Sequence, residues 1–114
     1  MLQVEERGEA YYIYPDDLKK YYLGTPNDAF RVMRALGLGA NDKFITDYTV
    51  YPARVSGKIL INVDDFGKAY YISPLDRRAY YLGSPEQAYQ VIRSLGLGIT
   101  NNNLNKIRAG ILSQ

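Results

Sequence analysis

Gly8-Glu-Ala-Tyr-Tyr-Ile-Tyr-Pro15 recurs as Gly67-Lys-Ala-Tyr-Tyr-Ile-Ser-Pro74, 59 residues further along a chain of 114. At the same offset Tyr21-Tyr-Leu-Gly24 returns as Tyr80-Tyr-Leu-Gly83, and Leu36-Gly-Leu-Gly39 as Leu95-Gly-Leu-Gly98. Between residues 1–42 and 60–101, 20 positions are identical. Two copies of one unit are therefore present, and what one folds into the other should too. A unit of about 60 residues buries only ~60% of its unfolded surface, so each alone is marginal. The copies are expected to pack together, or the chain to form a homodimer. An extended connection between near-identical units also permits domain swapping. Copy two is preceded by Arg54-Val-Ser-Gly-Lys-Ile59, for which copy one has no counterpart, because Met1 already aligns with Leu60. The sequence is thus expected to begin inside the first strand of copy one and to belong to a longer protein.

Each copy reads as three strands and a helix. Ile59, Ile61 and Val63 alternate with Leu60, Asn62 and Asp64, a half-buried strand pattern that Leu2 and Val4 repeat. Asp65-Phe66-Gly67-Lys68 reads as a tight turn with Gly67 supplying positive φ, and Gly8 does the same in copy one. The second strand, Ala10–Tyr14 and Ala69–Ser73, stops at Pro15 and Pro74, which cannot donate to a ladder. Asp17 and Asp76 occupy the next turn, where Asp bonds its own backbone. Lys20–Leu23 and Ala79–Leu82 form the third strand.

Ser84-Pro85-Glu86-Gln87 then supplies an N-cap, a proline at the first helical position and a capping-box glutamine; Thr25-Pro26-Asn27-Asp28 is a looser version. Ala29, Val32, Met33 and Leu36 share one helical face, as do Ala88, Val91, Ile92 and Leu95. Gly37 and Gly96 are expected to end these helices as left-handed caps, with Leu38 and Leu97 making the hydrophobic contact that often follows. A short second helix begins near Asn41 with Phe44 and Ile45, and near Thr100 or Asn101 with Leu104, Ile107 and Ile111. The expected fold is α+β: two tandem β-β-β-α modules, each a three-stranded antiparallel meander packed on one helix plus a short trailing helix. Residues 1–45 form the first module with a truncated first strand, 46–57 an extended linker and 58–114 the second module.

Composition narrows the function. There is no Cys, His or Trp, which on this reading excludes disulfides, thiol nucleophiles, zinc sites and histidine-based acid–base chemistry. The net charge is +2, too balanced to imply a nucleic-acid binder by itself. No apolar run approaches the ~20 residues of a membrane helix, and no signal peptide opens the chain. Glu5-Glu6 and Asp64-Asp65 are adjacent on strands and point to opposite faces, so they form no carboxylate pair. Gly37-Leu-Gly39 follows a helix rather than a strand and is not a nucleotide loop. Asp65-Phe66-Gly67 resembles a kinase triplet without anything else of a kinase. No converging catalytic set is visible, and neither an enzyme, a cofactor nor a metal is expected.

The outlier is Tyr, with 12 residues. Side chains alternate along strands, which groups Tyr11, Ile13, Tyr21 and Leu23 on one face of copy one, beneath the helix. Tyr70, Ile72, Tyr80 and Leu82 repeat this. Tyr12, Tyr22, Tyr71 and Tyr81 are then expected on an open face, with Lys20, Arg77 and Arg78 as rim charges. Such a surface could be an aromatic platform for a ligand, or an interface that packs the copies together. Lys19-Lys20 and Arg77-Arg78 beside tyrosines would also suit single-stranded nucleic acid, a weaker reading.

Taken together, Gly-x-Ala-Tyr-Tyr-Ile-x-Pro, Tyr-Tyr-Leu-Gly-[Ser/Thr]-Pro and Leu-Gly-Leu-Gly resemble a short repeat module of uncharacterised function. It is found in predicted secreted and cell-surface proteins of bacteria, especially candidate-phylum lineages. The resemblance covers nearly the whole chain. The chain departs from it at Tyr11 and Tyr70, where the module often has Trp. The resemblance implies an extracellular or cell-surface accessory role and brings no catalytic residues. The functional expectation is a non-catalytic tandem binding or attachment module for a cell-envelope polymer, glycan or protein. The alternative is a structural assembly module in which the outer tyrosines form an inter-repeat or homodimer interface.

Overall fold

The computed structural model describes residues 1–4, 10–95, 97–99, 101–110 and 112. Expectations for Glu5, Glu6, Gly8, Gly96, Thr100 and Ile111 lie outside them, as does the side chain of Ile92. The fold is α+β. In chain order the elements are β1 (Leu2–Val4), β2 (Ala10–Ile13), β3 (Lys20–Tyr22), α1 (Pro26–Leu36), β4 (Leu38–Ala40), α2 (Asp42–Thr46), a 3-10 turn (Ala53–Val55), β5 (Ile59–Asn62), β6 (Lys68–Ile72), β7 (Ala79–Tyr81), α3 (Pro85–Leu95), β8 (Leu97–Ile99) and α4 (Asn101–Leu104).

The helix starts follow from local chemistry. Thr25 Oγ1 accepts from the Asp28 amide and Ser84 Oγ from the Gln87 amide, both at 3.1 Å. Each satisfies one of the donors that a helix N-terminus leaves unpaired. Asn41 caps α2 in the same way, its Oδ1 accepting from the Phe44 amide at 2.8 Å.

The helix ends depart from expectation. Gly37 is not a left-handed cap: its backbone is extended, at φ −67° and ψ 141°, and runs directly into β4. Glycine is needed there for space, because a Cβ would fall on the Ile61 side chain and the Met33 carbonyl. Leu38, read as a capping contact, is exposed and belongs to a strand.

That strand changes the architecture. β4 pairs parallel with β5 of the second copy, aligning Leu38 with Leu60. Reciprocally, β8 pairs parallel with β1 of the first copy, aligning Leu2 with Leu97. Each antiparallel meander thereby gains a fourth strand from the other copy, giving sheets ordered β3-β2-β1-β8 and β4-β5-β6-β7. A short meander with one open edge is weak, and an edge closed by parallel pairing is the remedy.

One core serves both sheets. Ala10, Tyr12, Tyr21 and Leu23 of the first pack with Ile59, Ala69, Tyr71 and Leu82 of the second, around Ala29, Val32 and Met33 of α1 and Ala88 of α3. A second cluster lies on the outer face of the second sheet. There Ile45, Tyr51 and Val55 cover Leu60 and Ile72. Residues 46–57 are therefore not simply an extended connection; they carry a 3-10 turn and part of a core.

The tyrosine faces also differ from expectation. β2 and β3 pair Tyr11 with Tyr22 and Tyr12 with Tyr21; β6 and β7 pair Tyr70 with Tyr81 and Tyr71 with Tyr80. The cause is the turn. The Leu18 amide donates to the Tyr14 carbonyl, and the Tyr14 amide to the Lys19 carbonyl, closing a loop in which Leu18 is left-handed at φ 56°. Ser73, Arg77 and Arg78 repeat it, with Arg77 at φ 55°. Asp17 and Asp76 hold the turn, each accepting from the amide two residues on at 2.9 Å. Their second oxygens accept from the hydroxyls of Tyr21 at 2.5 Å and Tyr80 at 2.6 Å. Register fixes the face of every side chain in a strand. Counting alternation without the turn put Tyr11 with Tyr21, a slip of one residue.

Candidate binding surfaces

The corrected register separates the seven residues expected at the site. Tyr12 and Tyr71 are core residues, 1% and 2% exposed. Their rings meet edge-on with centroids 6.4 Å apart, joining the two sheets. Burial of a phenol requires a partner for its hydroxyl. The Tyr12 hydroxyl donates to the Gly57 carbonyl at 2.7 Å, and the Tyr71 hydroxyl accepts from the Met1 amino group at 3.3 Å. Burial pushes the Tyr12 hydroxyl far above its ordinary range and Tyr71 up to about 12. Neither can touch a ligand.

Tyr22 and Tyr81 do reach the surface, 49% and 44% exposed. Their partners are Tyr11 and Tyr70, which alternation alone puts beneath the helix. Tyr11–Tyr22 and Tyr70–Tyr81 have the same centroid separation, 5.4 Å, and similar tilts of 48° and 41°. The Tyr-Tyr-Leu-Gly motif explains the shared geometry. Leu23 and Leu82 point into the core, and a Cβ at Gly24 or Gly83 would fall on the ring of Tyr22 or Tyr81. Each outer ring thus lies against its glycine.

The cations are dispersed. Lys20 Nζ sits 5.7 Å from the Tyr11 ring centroid and donates to the Leu104 carbonyl at 3.0 Å, so it belongs with the first tyrosine pair. Arg77 and Arg78 are exposed in the β6–β7 turn. Arg78 lines a hollow of about 380 Å³ with Tyr48, Thr49, Tyr51, Ala79 and Tyr80. Tyr48 and Tyr51 fall in the segment that the sequence presents as linker, which hides them there. The available signal was the aromatic run itself: Phe44, Tyr48 and Tyr51 pack on one another with centroids 5.1 to 6.2 Å apart. Arg54 stacks over Phe44 at 5.0 Å.

A second concavity, of about 340 Å³, lies between α1 and the β5–β6 turn, lined by Phe30, Met33, Arg34, Ile61, Phe66 and Ala69. Phe66 is fully exposed and left-handed at φ 54°, an uncommon conformation for a bulky residue.

Among the described residues, no group of three or more His, Cys, Asp or Glu is placed to hold a metal ion. Among them, too, no helix is long and apolar enough to cross a membrane. What these surfaces offer chemically is stacking, cation–π contact and hydrogen bonding from phenols and guanidinium. Comparison with protein-family models, with characterised proteins and with solved structures finds nothing that matches this chain.

Proposed function

We propose that this chain is a non-catalytic binding or attachment module of a bacterial surface or secreted protein. Its two β-β-β-α copies act as paired recognition units. The observation that carries this reading is the repetition of one tyrosine pair, Tyr11–Tyr22 and Tyr70–Tyr81, at one spacing on two sheets, with Tyr22 and Tyr81 exposed and Tyr11 and Tyr70 half-buried beside them. Each pair, tilted by 48° or 41°, presents an apolar ring face beside a phenol hydroxyl, which suits a sugar ring. Two equivalent plates in one chain favour a repeating polymer such as a cell-envelope glycan, through avidity rather than high single-site affinity. The surface location comes from the resemblance of the repeat motif.

The test is sedimentation with isolated cell walls and a panel of envelope glycans. Tyr22→Ala or Tyr81→Ala should each weaken retention several-fold, and the double variant should abolish it. Retention unchanged in a folded double variant refutes the reading.

A second reading, structural assembly, is favoured by the Tyr12–Tyr71 contact, which joins the two copies through buried tyrosines. Here the exposed pairs would bury each other between molecules. Light scattering across a concentration series separates the two readings. A stable dimer that Tyr22→Ala and Tyr81→Ala dissociate supports assembly, and a monomer that retains glycan supports binding.

A further inference from the structure

The two sheets end differently at their outer edges, and the difference outlines a site. In a ladder, alternate residues of an edge strand turn their backbone N–H and C=O outward. On β3 that residue is Lys20. Its amide donates to the Arg108 carbonyl at 2.8 Å, and its carbonyl accepts from the Gly110 amide at 2.9 Å. Lys20 and Ala109 form a parallel bridge, so residues 108–110 close the edge as a short added strand. They fit because Gly110 runs against the ring of Tyr21; a Cβ there would fall on that ring.

The counterpart of Lys20 on β7 is Ala79, and the counterparts of 108–110 are Thr49, Val50 and Tyr51. Tyr51 cannot follow the path of Gly110, since its Cβ would meet the Tyr80 ring that replaces Tyr21. Its amide instead donates to the Arg77 carbonyl, two residues earlier, at 2.7 Å. Its ring turns into the second core, and its hydroxyl donates to the Ile45 carbonyl. Among the described residues, the Ala79 amide and carbonyl have no protein partner. Beside them opens the 380 Å³ hollow between β7 and residues 48–51.

We propose that this hollow is a strand-addition site for an extended peptide, which pairs parallel with Ala79 as residues 108–110 pair with Lys20. Main-chain hydrogen bonds supply affinity in this mode, and flanking pockets supply selectivity. The peptide residue passing Tyr80 must be glycine, for the reason Gly110 is. The preceding side chains meet Arg78, with Arg77 beside it. The nearby carboxylates are engaged, Asp76 by the Tyr80 hydroxyl and Asp47 by Lys43. Among the described residues, nothing acidic lines the hollow. The occupant is therefore an acidic peptide with a glycine, its apolar flank resting on Tyr48.

The probe is the synthetic peptide Glu-Ile-Glu-Ala-Gly-Ile-Leu, which keeps the Ala-Gly pair of the chain's own closing segment and places Glu where Lys106 and Arg108 stand. Binding to the full chain is followed by fluorescence anisotropy and by amide shifts in NMR. The expected result is saturable binding that shifts the Ala79 amide and leaves the Lys20 amide in place. N-methylation of the peptide glycine, or its replacement by Val, should weaken binding at least tenfold, as should Arg78→Glu in the protein. Because these peptide changes leave the protein intact, a folding defect cannot mimic them. Equal affinity for the N-methylated peptide, an unmoved Ala79 amide, or no binding at millimolar peptide overturns the proposal. Self-association that the peptide displaces would assign the hollow to a second copy of this chain and would also overturn it. None of these readouts involves Tyr22, so their failure is distinct from failure of glycan binding.

Discussion

The two sheets are built from copies of one sequence, yet their outer edges have different fates. The first is closed by residues 108–110; the second stands open beside Ala79. The closing segments differ at each aligned position, Thr49-Val-Tyr51 against Arg108-Ala-Gly110, and the Gly110–Tyr51 pair bears directly on the fit. A glycine lets the chain lie against a tyrosine ring and complete the sheet. A tyrosine must find its own hydrophobic place, and in doing so it lifts the chain off the edge. The two copies offer equivalent slots, and residues 108–110 fill one of them.

The largest effect should come where the copies do not differ. Tyr12→Ala and Tyr71→Ala each remove a buried aromatic from the shared core, and each should cost about 3–5 kcal/mol in chemical denaturation. Near-equal losses would mean that the core is symmetric despite the edges. A cost below about 1 kcal/mol for either would show that it does not hold the sheets together.

Next is the edge itself. Gly110→Ala forces a methyl group against Tyr21 and should destabilise by about 1–3 kcal/mol. Hydrogen exchange sharpens the contrast: the Lys20 amide should be protected and the Ala79 amide should not, and Gly110→Ala should expose Lys20 selectively. Equal protection of the two amides in the unmodified chain would erase the distinction.

A pH effect follows from the phenols. The hydrogen bond to Asp17, together with burial, pushes the Tyr21 hydroxyl up to about 12, and burial does the same for Tyr71. Both are raised above the unfolded value near 10. Their contribution to stability is therefore complete below pH 10 and is lost as pH climbs toward 12, where the unfolded chain releases protons that the folded one keeps. Ultraviolet titration should show these tyrosines ionising late, after exposed ones, and should merge them on denaturation. A single transition near pH 10 in the folded protein would contradict this.

The smallest effect compares the turn bonds. Tyr21→Phe and Tyr80→Phe remove equivalent hydrogen bonds to Asp17 and Asp76, but Tyr21 is buried and Tyr80 is not. The first should cost about 1 kcal/mol and the second less. Equal costs would mean that burial adds nothing to this bond.

Much of the local structure was legible in the residues. The caps at Thr25, Ser84 and Asn41 and the Asp turns rest on contacts within four residues. Their partners are therefore written beside them. The site was less legible. Of the expected surface, Tyr22, Tyr81 and Arg78 stand where a ligand could reach them, while Tyr12 and Tyr71 are sealed in the core. Alternation predicts that neighbours face opposite ways, but not which way. That depends on the turn register and on what covers the sheet.

By itself the sequence determined that there are two like units, what types of element they contain and where each helix begins, because these follow from local chemistry and self-similarity. Tertiary structure alone decided that Leu38–Ala40 and Leu97–Ile99 become strands in each other's sheets, that Tyr12 meets Tyr71, and that one edge closes while the other stays open. Those outcomes are set by groups far apart in the chain competing for the same edges and the same interior volume.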